Sequence, residues 1–276
     1  MRFKLRQITN KKAISPIIAT LLLILIAIAA GVIVYAYVVG FIGNSTTNSG
    51  GTTNTLSIDQ LTVSSKTSNA LGTAYLRNEG PSSESFNTGF YLKGSVLNLQ
   101  LDPAIGVSVG SPDYFTSVTG VTLGYTSATQ ISVSITGLAC NAAGALTITG
   151  FGITAGGLSS ANCPTSATTV TATITLPTGY AITSTFQASV ASIAAFPTTP
   201  AFQPAAIIIG VPITAGSIAV PINGVIALPL AETGLQVTGT PVGTSQYTNP
   251  LTPGSTYTVQ ITGTDGGSTT ASAKST

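Results

Sequence analysis

The chain has 276 residues, of which 43% are hydrophobic and only 6% charged, with no histidine, no tryptophan and a mean hydropathy of +0.48. Without histidine it lacks the commonest general base and metal ligand. Its formal net charge of +2 gives no electrostatic footprint for nucleic acid.

The charge is unevenly placed. Arg2, Lys4, Arg6, Lys11 and Lys12 supply five of the nine basic residues, and no acidic residue accompanies them before residue 14. Removing that stub leaves Lys66, Arg77, Lys93 and Lys274 against seven carboxylates. The nominal positive charge therefore belongs to the basic stub, residues 1–13.

Residues 14–43 form an uncharged apolar run, and continuous helix over it would be about 42–45 Å long. That exceeds a bilayer core of about 30 Å. It is also longer than the 7–15 apolar residues of an ordinary secretory signal. Pro16 falls in the first turn, where a missing N–H costs little. Small residues such as Ala27, Ala29, Gly31, Ala36 and Gly40 allow close approach of neighbouring helices. Tyr35 and Tyr37 lie near the outer end. They suit either an interfacial anchor or stacking between copies.

Residues 44–55, within GNSTTNSGGTTNT, read as a polar, glycine-rich hinge. Asn44-Ser45-Thr46 is a candidate N-glycosylation sequon. Beyond Leu56 the period changes to two. Runs such as Leu56–Val63, Gln130–Thr136, Thr168–Leu176 and Thr256–Thr262 alternate apolar with Ser or Thr side chains. β-branched residues at that period predict half-buried strands, and many such runs predict a β-sandwich. The expected fold class is thus α+β: a long N-terminal hydrophobic helix, then an all-β, immunoglobulin-like sandwich. About 220 residues exceed one such sandwich of about 100. Residues 56–195 are therefore read as one β region, and 196–276 as a second lobe or the remainder of one enlarged sandwich.

No reaction centre is legible. The carboxylates Asp59, Glu79, Glu84, Asp102, Asp113, Glu232 and Asp265 are scattered, and there is neither a phosphate-binding loop nor a nucleophile elbow. No enzyme activity, metal or cofactor is expected. Cys140 and Cys163 are too few for a zinc site. They read as a disulfide if the body is exported, or else as two buried thiols.

The stretch KKAISPIIATLLLILIAIAAGVIVYAY strongly resembles the N-terminus of archaeal type IV pilins and archaellin-like prepilins. The resemblance implies a class III signal peptide. Lys11 and Lys12 are its charged recognition pair, Ala13 is the last leader residue and Ile14 the new N-terminus after a prepilin peptidase cuts. Bacterial type IV pilins usually carry Glu at the fifth mature position, where this chain has Ile18. Pro16, Ile18, Leu22, Leu25, Ile26, Ala29, Ile33, Tyr35 and Tyr37 would lie on a filament-core helix.

LRNEGPSSESFNTGFYLKGSVL resembles the strand, Asn-x-Gly turn and strand of these pilins' sandwiches. LTPGSTYTVQITGTDGG resembles their closing hairpin. The expected partners are copies of the chain itself, the peptidase, an assembly ATPase and a membrane platform protein. The prepilin would wait in the cytoplasmic membrane, and the mature chain would form a cell-surface adhesion pilus. The Ser/Thr-rich body would be exposed and open to glycosylation. The competing readings are a membrane-anchored β-sandwich protein of the cell envelope and a secreted sugar-binding protein. The scarcity of aromatic residues disfavours the last.

Overall fold

A computed structural model of the chain describes residues 18, 20–21, 23–32, 55–65, 71–87, 90–94, 97–190, 203–240, 244–245, 249–264 and 266–276. Two compact units are present, residues 1–51 and 52–276.

In the first unit the described helical residues are 18, 20–21 and 23–32. This corrects the expected α+β class. The continuous part, residues 23–32, is about 15 Å long, half a bilayer core. Among the described residues no helix is long and apolar enough to cross a membrane. The expected transmembrane helix, and a helix of pilin length, are therefore not found. Uniform apolarity sets the surroundings a segment prefers and carries no period that fixes how far a helix extends.

The second unit is built almost wholly of strands. In chain order they are β1 (Leu56–Val63), β2 (Gly72–Asn78), β3 (Glu84–Phe86), β4 (Phe90–Lys93), β5 (Asn98–Val109), β6 (Phe115–Ser117) and β7 (Gly120–Ser127). There follow β8 (Gln130–Cys140), β9 (Leu146–Gly150), β10 (Ile153–Thr154), β11 (Thr168–Thr175), β12 (Ala181–Ile182), β13 (Gln187–Val190) and β14 (Gln203–Gly210). The last are β15 (Ile213–Ala215), β16 (Ile218–Val220), β17 (Val225–Glu232), β18 (Gly234–Thr240), β19 (Thr244–Ser245), β20 (Thr256–Thr262) and β21 (Ser268–Lys274).

Seven of these run β1-β2-β17-β5-β4-β20-β21, all antiparallel. The two ends of this sheet meet. Ser65 N–H donates to Thr276 O at 3.0 Å, and Thr276 N–H donates to Val63 O at 3.1 Å. The result is a nearly closed barrel in place of an immunoglobulin-like arrangement, and closure removes the exposed edges an open sheet would carry.

β5 belongs to two sheets. Its first residues pair with β4 and β17, and Ala104–Val109 pairs with β14 and β9. Strands on both sides of residue 195 are thus neighbours in one sheet. A second sheet, β11-β8-β7-β13-β15 with β6 on β8, packs across from β9, which gives the β-sandwich that the alternation predicts. A small third sheet has the order β12-β16-β3.

The alternation explains the core. In β8 and β11 Ile131, Val133, Ile135, Val170, Ala172 and Ile174 point inward and are buried, while the Ser and Thr between them face outward. At the centre of the packing, Ile105 of β5 and Ile174 of β11 close over Gly150 of β9. Phe86 and Phe90 pack edge to face, 6.1 Å between centroids at 76°.

Candidate functional site

Apart from Thr20, the described helical residues are apolar, and all of them are exposed. Ile18 is 53% exposed, Leu25 65% and Ile26 64%, and Ala29 is exposed as well. Burying such a Leu or Ile side chain is worth about 1.5–3 kcal/mol. A helix that is hydrophobic all round belongs in an apolar surrounding on all sides. Pro16, Leu22, Ile33, Tyr35 and Tyr37 lie outside the described residues, as do the leader junction residues Lys11, Lys12, Ala13 and Ile14, and the sequon residue Asn44.

The body receives the chain at Thr55. Beside that point Asn78, fully buried, ends β2. Its Nδ2 donates to Ser82 O at 2.7 Å and to Val220 O at 2.8 Å, and its Oδ1 accepts from Gly80 N–H at 2.9 Å. Its backbone exchanges bonds with the next turn, Asn78 N–H to Gly224 O and Asn223 N–H to Asn78 O. Every polar atom of the side chain is used, which is what a buried amide requires. Glu79 N–H donates to Thr55 O at 2.8 Å, so this node also holds the start of β1.

At the junction where β5 passes from barrel to sandwich lies Asp102, 1% exposed. Thr233 donates its hydroxyl to Asp102 Oδ2, and Oδ1 has no hydrogen-bond partner. Burial raises the carboxyl above its ordinary range, and the Thr233 hydrogen bond pulls the other way. One isolated carboxyl with one hydroxyl lacks a second acid or a base to work with. Among the described residues no cluster of His, Cys, Asp or Glu could hold a metal ion.

Cys140 and Cys163 are joined by a disulfide, with their Cα atoms 5.9 Å apart. The bridge closes the loop that follows β8. Cys140 N–H donates to Pro164 O and Cys163 N–H to Gly144 O, at 2.8 and 2.7 Å. Within that loop residues 156–159 lie along the outer side of β11. Gly156 and Thr173 exchange backbone bonds at 2.9 and 2.8 Å, and Ser159 N–H donates to Thr171 O at 2.7 Å. Thr171 N–H in turn donates to Ser159 Oγ at 2.8 Å. An edge strand that would otherwise present free N–H and C=O groups is covered.

Sequence reasoning noted the Asn-x-Gly turn but not that its Asn is a buried junction. The signal was Asn78-Glu79-Gly80-Pro81 directly after an alternating strand. Asp102 is, in the sequence, one of seven scattered carboxylates. Its signal was position, one acid inside the apolar stretch of β5.

No protein family model, no curated protein and no solved structure matches this chain.

Proposed function

We propose that this chain is the structural subunit of an extracellular adhesion filament of the archaeal type IV pilin kind. A prepilin peptidase removes the leader after Ala13, and copies polymerise through the apolar segment that begins at Ile14. The β body forms the outer surface. An ATP-driven assembly motor and a membrane platform protein supply the work of assembly.

The observation that carries this reading is the pairing of two unlike parts. Apart from Thr20, the described helical residues are apolar, and all of them are exposed. The β body has its own core, a nearly closed barrel and a disulfide, so it offers no open sheet edge at the barrel seam. Copies of the same apolar segment, packed together, bury what one copy leaves exposed. Contacts that do not close on themselves then extend into a filament. The disulfide suits an oxidising location outside the cell.

Mass spectrometry of sheared surface material tests the reading. Filaments whose subunits begin at Ile14 are expected. An intact chain, absent from any filament, overturns it.

A further inference from the structure

We infer that the β body cuts itself in acid at one peptide bond, Asp102–Pro103, with the buried Asp102 carboxyl as the nucleophile. The inference stands apart from the filament reading and goes beyond it.

Asp102-Pro103 is the one Asp-Pro pair in the chain, and it lies on β5 where the strand passes from barrel to sandwich. Two properties make such a bond weak in acid. A side-chain oxygen of Asp closes a five-membered ring when it reaches the carbonyl carbon of its own residue. The proline nitrogen leaves as a secondary amine, which takes up a proton readily. A group held in good orientation beside the bond it attacks acts at an effective concentration of about 10⁵–10⁸ M.

The fold prepares this pair. Asp102 is 1% exposed and its Oδ1 has no hydrogen-bond partner, so the attacking oxygen has no donor to shed. Thr233 donates its hydroxyl to the other oxygen, Oδ2, and so fixes the carboxyl. On the leaving side, Val211 N–H donates to Pro103 O at 3.0 Å. The proline nitrogen carries no N–H, so its departure removes no donor from the ladder.

The step uses the carboxyl in its acid form, and no second acid or base. Oδ1 bonds to the backbone carbonyl carbon of Asp102, the bond from that carbon to Pro103 N breaks, and the carboxyl proton passes to the proline nitrogen. The products are a cyclic anhydride on Asp102 and a free amine on Pro103. One water opens the anhydride and leaves Asp102 with an α- and a β-carboxyl group. The sum is hydrolysis.

Burial extends the acid form of Asp102 upward in pH, and the Thr233 hydrogen bond opposes it. No other charge faces the group. Glu232 pairs with Leu101, so alternation turns it to the face opposite Asp102. On β4, Tyr91 and Lys93 pair with Gln100 and Asn98, at the start of β5. β9 and β14 carry no titratable residue.

The two pieces stay together after the cut. β2 remains paired with β17, β3 with β16 and β4 with β20, each pair joining one piece to the other. Both cysteines lie in the second piece, so no disulfide ties the two. What is lost is the continuity of β5 between barrel and sandwich.

The test holds the full-length chain in detergent over pH 3–7 and follows it by intact mass and N-terminal sequencing. In acid two pieces are expected on a non-reducing denaturing gel, one of them beginning at Pro103. The folded chain should still be cut above about pH 4, where the chain unfolded in urea has lost the acid form. Asp102→Asn should leave the chain whole. Asp102→Glu, which has to close a six-membered ring, should slow the cut about a hundred-fold. Thr233→Val should carry the cut to higher pH, a shift that a merely structural role does not produce. A folded chain that stays whole in acid overturns the inference. So does a cut that the Asp102→Asn chain shares, or one that reaches no higher pH than in urea.

Discussion

Asn78 donates its side-chain amide to the carbonyl of Val220, 142 residues along the chain, at 2.8 Å. This bond joins the end of β2 to the end of β16, and the same side chain organises the turn at Gly80. Replacing Asn78 by Ala strands two carbonyls and one N–H in a site with no exposure. Buried groups left unpaired cost about 1–3 kcal/mol each, with partial relaxation by water at the turn. The expected loss is about 3 kcal/mol, or roughly 6–12 °C in the thermal midpoint. Asn78→Asp should be no better, because it sets a carboxylate against two carbonyl oxygens. A calorimetric scan in which either variant melts within a degree of wild type would contradict this account.

Asp102 gives the body a pH dependence of unusual sign. Its folded-state pKa is raised by burial, so between about pH 4 and that raised value the folded chain holds a proton the unfolded chain has released. The contribution to stability is complete below the unfolded pKa and is lost as pH rises through the folded one. Wild type should therefore be more resistant to urea at pH 3–4 than at pH 7, as far as this group decides. Asp102→Asn, uncharged throughout, should flatten the dependence and raise the urea midpoint at pH 7. Parallel curves for the two proteins across pH 3–7 would remove Asp102 as the source.

The disulfide predicts a local effect beyond its global one. Cys140 and Cys163 are 23 residues apart, and a loop of that size contributes about 3 kcal/mol through the unfolded state. The same loop lies along the outer side of β11, so its release should expose that edge. In the Cys140→Ser, Cys163→Ser double variant the amides of Thr171 and Thr173 are expected to exchange faster than those of β8, and the chain should aggregate more readily. Uniform acceleration across both strands would show that the loop covers nothing the rest of the sheet does not already protect.

The alternating runs were legible as strands, though Gln130–Thr136 is only the first part of β8 and Thr168–Leu176 overruns β11 by one residue. Thr256–Thr262 is β20 to the residue, and Leu56–Val63 is β1. Period two with β-branched side chains reports a half-buried surface wherever the strand ends up. Strands that serve two sheets, or that carry proline, were not legible. β5 contains Pro103, β14 contains Pro204 and β17 contains Pro229, and a proline within a run lowers its reading as a strand. β5 is also buried on both faces over Leu101–Ile105, which erases the alternation. The helix was over-read. Uniform apolarity over residues 14–43 carries no period, so it sets the solvent a segment prefers and not how much of it is helix, and the continuous described helix is 23–32. Of the candidate site, the cysteine pair and the turn at Asn78 were visible as residues. The burial of Asp102 was not, because it depends on β5 passing from one sheet to the other.

Two glycines on adjoining strands test the packing. Gly150 of β9 faces inward, where a Cβ would meet Ile174 Cδ1 at 2.4 Å and Ile105 Cδ1 at 2.6 Å. Both are core side chains with 0% exposure, so neither can swing away. Gly150→Ala should therefore cost about 1–3 kcal/mol through overpacking, and Gly150→Val more. Gly106 of β5 lies directly across from Thr149. A Cβ at Gly106 meets one atom, the Thr149 hydroxyl, which can rotate towards solvent. Gly106→Ala should change stability by less than about 1 kcal/mol, since Ala also restricts the unfolded chain. Denaturant midpoints separate the two variants. A Gly106→Ala chain that loses as much stability as Gly150→Ala would show that Thr149 cannot give way, and a Gly150→Ala chain of unchanged midpoint would show that the two sheets pack less tightly over Gly150 than Ile105 and Ile174 require.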